Sequence, residues 1–144
     1  MNISVDIISG NKVIAEFMGY RFYDKQTDPI WPGWRKEWKK EWENKKRNID
    51  DDVFLCKRHR DLKYHNSYDW LMPVVQRIED LGYYVKISGF SGSTDLEISE
   101  KGLGLNLICQ NFIGASGAES KIDVIWLGVV DFIRYYKKQL RNYE

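Results

Sequence analysis

Y-H-N-S-Y-D-W-L-M-P-V-V-Q-R-I-E, residues Tyr64–Glu79, is the stretch that decides the fold. Its apolar residues Trp70, Leu71, Val74, Val75 and Ile78, with Leu81 beyond it, recur at helical spacing and form one inward stripe. The spacing predicts a helix that begins near Ser67 or Asp69 and ends at Gly82. Pro73 lacks an N–H, which a helix tolerates best in its first turn, so the regular part is expected to start late. Downstream the period changes from helical to alternating. Tyr83–Ile87 reads as a strand, Ser88–Ser93 as a glycine-rich turn, and Thr94–Ser99 as a second strand with Leu96 and Ile98 inward. Lys101-Gly102 marks another turn, and Leu103–Cys109 reads as a third strand. Gly114–Gly117 is a loop, and Ser120 opens a last helix with Asp123 in a capping-box-like position. Ile122, Ile125, Trp126, Val129, Ile133, Tyr136 and Leu140 form its stripe. Two such helices on one face of an antiparallel meander bury both stripes, which is an α+β fold.

Upstream the signals are shorter. Asn2–Ile8 is apolar and β-branched, as in a strand or a packed arm. Asn11–Met18 reads as a helix, with Asn11 as N-cap and Gly19 closing it. Tyr20–Tyr23 begins a strand, Asp28–Gly33 is turn-forming, and Trp34–Arg47 reads as a highly charged helix. Val53–Cys56 is a further strand candidate, continued by the basic Lys57–Lys63. The expected organisation is one α+β domain in the order αβ(β)-α-βββ-α, with a Trp/Lys-rich helical insert at about residues 29–50.

The 144 residues suffice for a core without staples, and the 15% aromatic share supplies apolar area readily. Net charge is +1, but it is uneven: residues 35–63 carry 11 cations against 7 carboxylates, and residues 64–133 carry 4 against 9. Cys56 and Cys109 stand far apart, outside any metal-ligand or disulfide spacing, and read as reduced thiols. Neither a leader pattern nor an apolar run of membrane length is visible, so the expected setting is the cytoplasm of a bacterial cell. No cofactor and no metal is expected.

Three stretches together resemble a family. N-K-V-I-A-E-F-M-G (Asn11–Gly19), the Tyr64–Glu79 stretch and I-D-V-I-W-L-G-V-V-D-F-I-R-Y-Y (Ile122–Tyr136) look like small proteins of phages and prophages of Bacteroidetes-type bacteria. The chain departs from that pattern at Tyr68, where Trp is expected, and in its Trp-rich Pro29–Arg47 segment. The resemblance implies a phage or prophage origin. The family carries no established activity, so it implies no catalytic residue.

Candidate sites follow from chemistry. Trp34, Trp38 and Trp42 recur every fourth residue among Lys36, Lys39, Lys40, Lys45, Lys46 and Arg47. Such a stripe either packs on the domain or docks a partner, since Trp and Arg dominate interface hot spots. Base stacking with phosphate contacts is the other functional reading. Arg58 and Arg60, with Lys57, His59, Lys63 and His65, form a second cluster that suits an anion or an acidic partner. Its bland counterpart is an edge blunted by charge. Neither His has a spaced partner that would make it a metal ligand or general base. The Gly114–Lys121 segment runs into a helix start but lacks phosphate-loop spacing, and Asp50–Asp52 lacks the ligand spacing of a calcium loop.

The expected function is a non-enzymatic binding or accessory protein acting through a protein partner, with Trp34, Trp38, Trp42, Arg58 and Arg60 as contact residues. The alternative is a nucleic-acid or nucleotide binder. Its helix–three strands–helix order is shared with double-stranded-RNA-binding domains, though here the last helix opens on Glu119, Lys121 and Asp123 instead of a lysine cluster. A hydrolase built on His59 or His65 is the third class, without a legible nucleophile–base pair.

Overall fold

A computed structural model describes residues 5–30, 32–36, 53, 56–89, 93–100, 107–114 and 118–142. The fold is α+β; the described residues form three helices and two antiparallel sheets. The chain forms two compact units, Ile3–Lys63 and Tyr64–Glu144.

In the first unit, α1 spans Val5–Phe17. It buries Ile7, Asn11, Ile14, Ala15 and Phe17, the one-face spacing of an amphipathic helix. The strand or arm expected over Asn2–Ile8 is therefore overturned from Val5 onward: the β-branched residues there belong to the first turn of α1. Asn11 lies mid-helix and is not a cap, for a reason that appears at the site below. Gly19, at φ 92°, closes the helix as expected, since a left-handed turn suits a residue without Cβ.

Strand β1 (Tyr20–Tyr23) pairs antiparallel with β2 (Gly33–Lys36), with Phe22 opposite Trp34 and Arg21 opposite Arg35. Two arginines directly across a ladder repel. Arg35 is compensated by an ion pair with Asp28 and by the Tyr23 ring, whose centroid lies 4.0 Å from its guanidinium carbon. The helix expected over Trp34–Arg47 thus does not begin at Trp34, because the hairpin with β1 claims Gly33–Lys36; residues 37–47 lie outside the described residues. The strand expected at Val53–Cys56 is also overturned. Val53 is helical, and the Cys56 N–H donates to the Val53 carbonyl at 2.9 Å, a local turn bond instead of a ladder bond.

In the second unit, α2 (Tyr68–Asp80) follows Ser67, whose carbonyl accepts from Leu71 at 3.0 Å. The helix already starts at Tyr68 and continues through Pro73, correcting the expected late start. The proline removes the i+4 donor for the Asp69 carbonyl. Trp70, Leu71, Val74, Val75 and Ile78 are buried as the stripe requires, and Leu81 caps the helix from an exposed position. Strands β3 (Tyr83–Ser88), β4 (Asp95–Glu100) and β5 (Leu107–Phe112) form the meander in the order β3-β4-β5. The third strand runs further than expected, to Phe112. Ile98 faces Cys109 while Ser99 faces Leu107, so Ile108 is an extra, bulged residue.

Helix α3 (Lys121–Asn142) packs on β4 and β5, and α2 on β3, over the face that carries Leu96 and Ile98. Ser120 and Asp123 form the expected cap: the Ser120 Oγ accepts the Asp123 N–H at 3.4 Å, and the Asp123 carboxylate accepts the Glu119 N–H at 3.1 Å. The buried Asn111 donates its amide to the Val124 carbonyl at 3.2 Å and ties β5 to α3. The approach of α3 to the sheet is set by Gly128. A Cβ there would lie 1.8 Å from Leu96 Cδ2. Gly128→Ala is expected to destabilise the protein by about 1–3 kcal/mol through overpacking. Leu96→Ala in the same chain should recover part of that loss, so the two urea-denaturation costs will not add.

Candidate functional site

The basic stretch Lys57–Lys63 is the better-built of the two sequence candidates. It forms a 3-10 turn, His59–Asp61, held by a set of contacts within the first unit. The Trp34 N–H donates to the Cys56 carbonyl at 2.8 Å, which fastens the entry of the turn to β2. Gly33 allows this approach, because a Cβ there would stand 2.8 Å from the same carbonyl oxygen. The Cys56 thiol donates to the Asp61 carbonyl at 3.4 Å. Arg58 and Asp61 close the turn on themselves: the Arg58 Nη2 lies 2.9 Å from Asp61 Oδ1, and the Arg58 N–H reaches Asp61 Oδ2 at 3.1 Å. The guanidinium hydrogen bonds hold the Asp61 carboxyl below its ordinary range. At the exit, Leu62 is fully buried and its carbonyl accepts the Asn11 side-chain amide at 3.2 Å.

Sequence reasoning missed Asn11 and Cys56 as parts of this site. An asparagine before an apolar run reads as a cap, and only a partner 51 residues away shows otherwise. Lys57, Arg58, Arg60 and Lys63 are exposed around the turn, while His59 points into the unit. The edge-strand reading of this stretch is overturned by the turn geometry.

His59 packs on Phe22 at 4.2 Å between centroids and meets Trp34 at 5.5 Å with an interplanar angle of 67°. Trp34 is only 1% exposed. The indole expected at a docking surface is therefore core, a correction to the Trp34 assignment, and it lies there because β2 turns that face inward on Phe22. Trp38 and Trp42 lie outside the described residues. Trp34 Nε1 and His59 Nδ1 are buried and have no hydrogen-bond partner among the described residues. Burial, and secondarily the charge of Lys12, hold the His59 pKa below its ordinary value against an opposing pull from Glu16.

His65 does not join this group. It is buried in the second unit, where burial again lowers its pKa and Asp123 opposes the shift. Tyr64 beside it is buried edge-on against Trp70, 5.1 Å between centroids. The start of α3 is no anion cradle either, since the Asp123 carboxylate already takes a backbone N–H there. Residues 50–52 lie outside the described residues. Burial pushes the Cys109 thiol up to about 11, with Asp131 adding to the shift, so it stays protonated at neutral pH and is a poor nucleophile. Among the described residues no group of three or more His, Cys, Asp or Glu is placed to hold a metal, and no helix is long and apolar enough to cross a membrane. No family model, curated protein or solved structure matches the chain.

Two outcomes follow. Asn11→Ala leaves the buried Leu62 carbonyl without its donor and is expected to cost about 1–3 kcal/mol in chemical denaturation. The histidines set the pH response. With folded pKa values below the unfolded 6.5, the unfolded chain binds the protons more tightly. Stability is then complete above about pH 6.5 and falls as pH drops through the folded values. His59→Phe should lose part of that dependence in urea midpoints measured between about pH 7 and 5, leaving the His65 share. An unchanged slope would contradict the burial of His59.

Proposed function

We propose that the chain is a non-enzymatic binding protein that takes an acidic segment of a protein partner on the Lys57–Lys63 turn. The observation that carries this reading is a turn with four exposed cations whose backbone is already fixed by Trp34, Cys56, Asp61 and Asn11. A fixed backbone presents Lys57, Arg60 and Lys63 without the ordering cost that a free loop pays on binding. Arg58 contributes charge but is partly committed to Asp61, so Arg60 and the lysines are the principal contacts.

A protein partner is favoured over nucleic acid by the position of the rings. Sequence-tolerant nucleic-acid binding needs exposed aromatic faces beside the cations. Among the described residues around this turn Trp34 is sealed, and Phe22 and His59 are packed on each other. The non-enzymatic reading is supported by the state of the candidate bases. Among the described residues no carboxylate meets His59 Nδ1 to orient it, and its surroundings disfavour the imidazolium. The phage or prophage setting of the partner rests on the resemblance of the three sequence stretches.

Lys57→Glu/Arg60→Glu should weaken binding of a fluorescent Asp/Glu-rich peptide by about 1–3 kcal/mol, measured by anisotropy. The circular dichroism of the variant should match that of the parent, because neither side chain holds the turn. A peptide affinity indifferent to this reversal would end the proposal. A single-stranded oligonucleotide bound more tightly than the peptide, with affinity falling steeply in salt, would favour the nucleic-acid reading instead.

A further inference from the structure

Among the described residues the second unit carries an uncovered sheet edge. Of the two outer strands, β3 has Lys86 at its centre, the kind of charge that blunts an edge. The other, β5, reads L-I-C-Q-N-F, without a charge, a proline or a glycine. Among the described residues no strand pairs with its free side. Leu107 and Phe112 on this strand are 53% and 49% exposed. An uncharged apolar edge is an open template for another strand.

The register shows which groups it offers. The Ile113 N–H donates to the Thr94 carbonyl, so the backbone groups of Ile113 point toward β4. Antiparallel ladders alternate, so Asn111 and Cys109, opposite Leu96 and Ile98, point the same way. Gln110 and Phe112, opposite Glu97 and Asp95, therefore aim their N–H and C=O groups at the free edge. The bulge at Ile108 interrupts the pattern toward the start of the strand.

We propose that this edge pairs with the β5 of a second copy of the chain, antiparallel about a two-fold axis. With Asn111 on the axis, Gln110 of each copy stands opposite Phe112 of the other. That register satisfies all four outward groups of each regular segment and keeps inward residues opposite inward ones. The second copy is the occupant because the strand is complementary to itself. It carries no charge to repel its own image, both β5 edges are consumed, and the edges that remain are the β3 strands with Lys86 at their centre. The pairing joins two three-stranded meanders into one six-stranded sheet and covers the exposed Phe112.

Sedimentation equilibrium tests this directly. The parent chain should sediment as a dimer, twice 17.1 kDa, at concentrations on the order of 100 μM. Gln110→Pro removes an edge donor but no bond to β4, a position where an edge strand tolerates proline. It should be monomeric with unchanged circular dichroism. Gln110→Lys, which adds the missing edge charge, should be monomeric too and covers the case in which the proline variant fails to fold. Lys86→Ala, on the other edge, should remain dimeric. A monomeric parent, or a Gln110→Lys chain that stays dimeric through a different surface, overturns the proposal.

Discussion

In each unit a buried asparagine donates its side-chain amide to a backbone carbonyl of another part of the fold. Asn11 reaches from α1 to Leu62, and Asn111 from β5 to Val124. Each amide is itself buried. Loss of Asn11 would leave the Leu62 carbonyl in an apolar setting, whereas the Val124 carbonyl keeps its intrahelical donor and Asn111 adds a second bond to it. The first bond fixes the exit of the basic turn; the second fixes the first turn of α3 over the sheet. The cation turn and the helix–sheet packing both depend on this single type of contact.

Among the described residues the first unit buries polar nitrogens without partners and the second does not. Phe22, Trp34 and His59 form a ring cluster with two polar nitrogens buried in it. A buried donor or acceptor without a partner costs about 1–3 kcal/mol. The cluster persists because the surrounding backbone bonds determine it: Trp34 is held through its own N–H, and His59 through the turn on either side. The cations outside and the neutral imidazole inside share three consecutive residues. Burying a charge on His59 would load the same turn that presents Arg58 and Arg60.

The second unit is simpler. Its core sets Leu96 and Ile98 of the sheet under the buried faces of α2 and α3, with Gly128 setting the distance of closest approach of α3. The two faces of the meander differ as antiparallel sheets allow. One is covered by helices; the other shows Tyr84, Lys86, Gln110 and Phe112 to solvent. Its two edges differ as well, and that difference is written in composition: a lysine in β3, none in β5.

Period and punctuation in the sequence determined the helix–meander–helix order, the inward residues Leu96 and Ile98, the Ser120–Asp123 cap and the glycine stops at Gly19 and Gly82. These are local properties, readable because each residue's neighbours in the chain are also its neighbours in space. Tertiary structure alone decided the fate of Trp34, Asn11 and Pro73. Trp34 followed a helical period yet became a strand residue, because pairing with β1 outweighs a weak local preference for helix. Asn11 matched a cap signal, but its amide serves a carbonyl 51 residues away, and no local pattern encodes a bond of that span. The basic turn was legible as charge and not as shape, since charge is a property of residues and shape here is a property of their partners.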